Sequence, residues 1–97
     1  MRAKKFKEPD NTAVFTTKFV LNEGKEITLV YHDEDDGAWQ FFSNDEFDDF
    51  KTVAKIVLLR EIIEMDNSLL DLADLQEGYF AQRRSKGEKW IIKENRR

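Results

Sequence analysis

The chain contains no cysteine, which rules out disulfide bridges, thiol nucleophiles and zinc–thiolate sites. A small domain from an oxidising compartment often carries disulfide staples, so their absence points to the cytoplasm. Proline occurs once, at Pro9, histidine once, at His32, and glycine four times. Four scattered glycines leave no phosphate-cradling loop. The three serines, Ser43, Ser68 and Ser85, lie outside any nucleophile-elbow pattern. A lone histidine at a strand end is more often structural than catalytic, and nothing in the sequence builds a triad around His32. No apolar run approaches the length of a membrane span, and no apolar stretch follows the basic N-terminus, so that segment reads as neither a signal peptide nor an anchor. The expectation is a protein that is no enzyme, with no catalytic residue, no cofactor and no metal.

What is present suits one small domain. In 97 residues, 40% are hydrophobic, with eight Phe and two Trp, which is enough for a packed core despite 37% charged residues. The net charge of −4 hides a segregation. From Asp33 to Glu77 fourteen acidic residues face three basic ones, Lys51, Lys55 and Arg60, whereas from Arg83 to Arg97 seven basic residues face two acidic. Such asymmetry bears on partners and association rates, not on fold.

Residues 1–12 hold little apolar material and read as a mobile arm, with a globular domain over 13–94. Val14 to Leu21 alternates as a strand, with Phe15, Phe19 and Leu21 on one face. A turn at 22–25 leads to a second strand marked by Ile27, Leu29 and Tyr31. The His32–Gly37 turn leads to a third, Ala38 to Ser43, with Trp39 and Phe41 on one face and Phe42 on the other. Three strands joined by tight turns predict an antiparallel meander. Ser43 or Asn44 is placed to cap a helix. From there two readings of 45–66 stand open: one long helix, or a helix, a buried strand Ala54–Leu58 and a short helix Leu59–Met65. Leu69–Leu72 reads as a helical turn, and Tyr79–Arg83 and Trp90–Lys93 as two final strands, with the last four residues frayed. The fold class is α+β, with a mainly antiparallel sheet of five to six strands and two or three short helices on one face.

Three charged features bear on function. The turn Asp33-Glu34-Asp35-Asp36-Gly37 lacks the ligand spacing of a calcium loop and reads as a solvated hairpin tip. Asp33, Glu34, Asp35 and Asp36, with Asp45, Glu46, Asp48 and Asp49, give eight acidic residues and no basic one between Asp33 and Asp49. At ~3.3 Å per residue, about 20 Å of strand separates the two groups, and they flank Trp39 and Phe42. An acidic rim around aromatic anchors suits a basic protein partner. Equally, the aromatics are core and the acids a solvated edge; Trp39 and Phe42 are anchors only if exposed. Finally, Arg83, Arg84, Lys86, Lys89, Lys93, Arg96 and Arg97 surround Phe80 and Trp90. Basic side chains with interleaved aromatics can hold single-stranded nucleic acid, but the acidic centre repels a polyanion, and internal charge compensation explains the same pattern.

The run Asp36-Gly37, then Trp39-Gln40-Phe41-Phe42-Ser43-Asn44-Asp45-Glu46, resembles a signature of small bacterial proteins. These include uncharacterised domains and predicted immunity proteins of polymorphic-toxin systems. Tyr31-His32-Asp33 before it, and Ile56–Leu58, Leu59–Met65, Asp66–Leu69, Leu75–Gly78 and Ala81–Arg83 after it, extend the likeness over about residues 19–84. Ala38 interrupts the usual spacing and Asn44 stands where glycine is usual. The resemblance favours the split reading of 45–66. It implies a non-enzymatic α+β domain without a cofactor, of a kind that blocks a toxin by presenting acidic charge.

Overall fold

In the computed structural model, which describes residues 4–95, the first strand, β1 (Ala13–Thr17), stops well short of the predicted Leu21. Thr17 is the reason. Its hydroxyl oxygen accepts a hydrogen bond from the Val20 N–H at 3.4 Å and caps a helix, α1 (Lys18–Glu23). Phe19 and Leu21 are therefore helical, and the face α1 buries is that of Val20. Gly24, at φ 69°, ends the helix in the left-handed conformation that glycine adopts without a Cβ clash.

The chain continues through β2 (Leu29–His32), β3 (Trp39–Phe42), α2 (Phe50–Val53), β4 (Ala54–Leu58), α3 (Leu59–Met65), a 3-10 helix (Asn67–Leu72), β5 (Tyr79–Gln82) and β6 (Ile91–Glu94). The strands form one sheet in the order β4-β1-β3-β2-β5-β6. This corrects the expected meander. Because α1 intervenes after β1, β2 is delivered one place further out, and β3 folds back between them. β3 then runs parallel to β1, with Phe15 opposite Gln40, while the other four pairings are antiparallel.

The split reading of 45–66 holds, with β4 and α3 at their predicted bounds. Two details differ. Asp49 caps α2, its carboxylate accepting from the Lys51 N–H at 3.0 Å, so the helix starts later than Ser43 or Asn44. β4 is an edge strand and not a buried one: Ile56 is 67% exposed. The backbone N–H of Leu58 donates to the Glu61 carboxylate at 2.8 Å, which closes the N-terminus of α3.

The core lies on one face of the sheet. Val14, Val30, Trp39, Phe41, Val57 and Ala81 supply its strand side, and Val20, Ile62, Leu69 and Leu72 pack down from α1, α3 and the 3-10 helix. Each such side chain contributes ~1.5–3 kcal/mol on full burial. In β2 the core side is Val30 and His32; the alternating Leu29 and Tyr31 face away. Residues 4–12 of the predicted arm run against this core. Phe6 meets Trp39 edge-on at 4.9 Å between ring centroids, and Lys4 pairs with Asp74 at 3.3 Å. Residues 1–3 of the arm, and Arg96 and Arg97 of the frayed end, lie outside the described residues. Among the described residues no helix is long and apolar enough to cross a membrane.

Candidate functional site

Strand alternation sends a second set of aromatic residues to the face opposite the core. Phe15 of β1, Phe42 of β3, Tyr31 of β2 and Phe80 of β5 share that outer face by register. The segment between β3 and β4 folds over one end of it and adds Phe47 and Phe50. The rings form a continuous row: Phe15–Phe50 at 6.3 Å, Phe50–Phe42 at 5.5 Å, Phe42–Tyr31 at 5.9 Å and Tyr31–Phe80 at 5.4 Å, with Phe47 against Phe42 at 6.0 Å. These are ordinary separations for favourable aromatic pairs. Phe15, Tyr31, Phe50 and Phe80 are half-buried and Phe47 is exposed.

The sequence-predicted acids meet this face at both ends of β3. Asp33 to Asp36 form the β2–β3 turn. Asp33 accepts from the Asp35 N–H at 3.0 Å and Asp36 from the Ala38 N–H at 2.9 Å, two side-chain turns that fix the hairpin tip. Asp45, Glu46, Asp48 and Asp49 lie in the segment after β3. Asp45 is anchored by the Ser43 hydroxyl, which donates to its carboxylate at 2.6 Å. A groove of about 320 Å³ runs between the two groups, with Asp33 at one end, Asp45 and Phe47 at the other, and Tyr31 and Phe42 in its wall. One residue of each acidic run, Asp33 and Asp45, 12 positions apart in sequence, thus lines the groove, whereas Glu34, Asp35, Asp36, Glu46, Asp48 and Asp49 do not.

Trp39 does not belong to it. It is 2% exposed and sits in the core, so the condition for its being an anchor fails. Its indole N–H donates to Glu8 at 2.9 Å, and its ring stacks on His32 at 3.9 Å. His32 is equally internal: Nδ1 lies 2.7 Å from the Leu75 carbonyl oxygen, which can only accept, so Nδ1 carries the proton. Phe42, at 8% exposure, is covered by Phe47, Phe50 and Tyr31; it supports the groove but is no protruding anchor. The exposed aromatic is Phe47, which sequence reasoning passed over because it lay inside a presumed helix.

At the basic C-terminal strands, Arg83, Lys89 and Trp90 line a separate hollow of about 360 Å³ together with Asp71 and Glu88. Arg83 is buried, its guanidinium bonded to Asp66, the Ser68 hydroxyl and the Ile27 carbonyl, with the Trp90 ring 4.0 Å away. Burial raises the pKa of Asp66, but hydrogen bonds from Ser68 and Arg83 outweigh it and hold the carboxyl below its ordinary value. Arg83 therefore compensates one carboxylate of the acidic centre, that of Asp66, internally. Among the described residues no group of three or more His, Cys, Asp or Glu side chains could hold a metal ion.

A family model described as the immunity protein Imm33 domain matches residues 14–93. The chain belongs to that family. No curated protein and no solved structure matches it. The matched span runs from β1 to β6 and includes the whole aromatic face of this Imm33 domain. Proteins of the immunity class generally inhibit toxins rather than act catalytically, and the groove brings together two carboxylates, three aromatic rings and the Ser43 hydroxyl bonded to Asp45.

Proposed function

We propose that this Imm33 domain neutralises its toxin by covering a basic surface of it with the open, aromatic face of the sheet. The observation that carries the reading is the groove in which Asp33 and Asp45 flank Tyr31, Phe42 and Phe47. A half-buried aromatic row is a surface that a partner can bury further. Tyr and Phe rings supply contact area at low entropic cost, and the surrounding carboxylates favour encounter with a positively charged protein. Glu34, Glu46 and Asp48 are exposed and extend the negative field beyond the groove; with Asp35, Asp36 and Asp49 they are the steering residues. Phe42 acts from beneath, by holding Phe47 in place.

The test begins with capture from native lysate at low and high salt, which identifies the toxin. Association rates are then measured against ionic strength for the wild-type domain and for a Glu46→Lys/Asp48→Lys variant. The proposal expects a slower on-rate with a flatter salt dependence in the variant. An unchanged on-rate rejects the electrostatic part of the reading.

A further inference from the structure

The groove has the lining of a cation site, and we infer that it receives the guanidinium of one arginine side chain presented by the toxin. This rests on the inhibitory reading above. At about 320 Å³ the groove lies at the small end of the range for ligand pockets and has room for one side chain. Tyr31, Phe42 and Phe47 give it aromatic walls, whose ring faces attract a cation. Asp45 supplies a carboxylate whose direction is set by the 2.6 Å bond from Ser43, itself 6% exposed. Gln40 and Asn95 add polar lining, and no described residue lining the groove is basic.

The alternatives fit less well. An apolar side chain would cover the Asp45 carboxylate without pairing it, which is costly. A phosphate would meet two carboxylates. Lysine carries a compact, strongly hydrated ammonium that must shed more water than a guanidinium to enter between rings. The guanidinium is planar, weakly hydrated, stacks on aromatic faces and can bond a carboxylate through its edge.

The probe is the peptide acetyl-Gly-Arg-Gly-amide, with its citrulline and lysine counterparts, titrated into the full chain while the Tyr31, Phe42 and Phe47 ring signals are followed by NMR. Arg96 and Arg97 follow Asn95 in sequence, so the titration is repeated on an R96Q/R97Q variant. In at least one of the two chains the arginine peptide should move these rings, and the citrulline peptide should bind about tenfold more weakly. Asp45→Asn in that chain should abolish the preference. Equal response to arginine and citrulline in both chains, or no response, overturns the assignment. The inhibitory reading has a separate readout. If Phe47→Ala weakens toxin binding although the arginine peptide fails, only the arginine assignment falls. If the peptide titrates normally but Phe47→Ala leaves toxin binding unchanged, the arginine does not come from the toxin.

Discussion

Arg83 and Asp66 form an ion pair inside the domain, their side chains 1% and 6% exposed. The pair joins β5 to the start of the 3-10 helix, and the same guanidinium reaches the Ile27 carbonyl beside β2. Breaking a pair of this kind leaves a charge stranded in the interior, which costs ~3–5 kcal/mol. Arg83→Met is expected to lower the unfolding free energy by about that much, as read from urea titration. A loss under about 1 kcal/mol would mean that the pair is solvated, as surface pairs are.

The same pair sets an acid limit. The folded-state pKa of Asp66 is below its ordinary value of 3.8. A depressed carboxylate stabilises the fold above the unfolded value, and that stabilisation is lost as pH falls through the folded one. The stability gap between wild type and Asp66→Asn should therefore be constant near neutral pH and shrink below pH 3.8. Urea midpoints for both chains across the acid range check this; a gap that persists unchanged to pH 2 contradicts it.

The N-terminal segment is tied to the core through Phe6 against Trp39 and Glu8 against the Trp39 indole. Phe6→Ala should destabilise the domain by about 1–2 kcal/mol, the value of a partly buried aromatic. Thermal unfolding of the variant is the check. No change would return the segment to the mobile arm that its sequence suggests.

Phe47 should behave differently from Trp39. Phe47 is 37% exposed and Trp39 2%. Phe47→Ala is expected to leave stability within about 1 kcal/mol and to weaken toxin binding by about 2 kcal/mol or more. Trp39→Ala should cost about 3–5 kcal/mol of stability and reduce binding only through unfolding. Paired denaturation and binding isotherms separate the two effects.

Much of the fold was legible from local sequence. The alternation of Trp39 and Phe41 against Phe42 marked the two faces of β3, and the turn residues marked the breaks between elements. The resemblance favoured the split reading of 45–66, and with it β4 and α3, which periodicity left open. What failed was non-local. Thr17 reads equally well as a strand residue or a cap, and nothing near it in sequence reveals which, so α1 was missed. With α1 missed, the place of β1 beside β3 could not be found. The faces were harder still, since both carry large apolar groups: Val30 and Trp39 on one, Tyr31 and Phe42 on the other. Asp33 and Asp45, which line the groove, could be singled out because charge is local information. Their aromatic partners required the register.

The central claim is that the toxin sits on the aromatic sheet face, and hydrogen–deuterium exchange of the complex tests it most directly. The account predicts new protection in β2, β3 and residues 43–50, with α1 and α3 unchanged. Protection confined to α1, α3 and the 3-10 helix, with the groove strands exchanging as in the free domain, would contradict it.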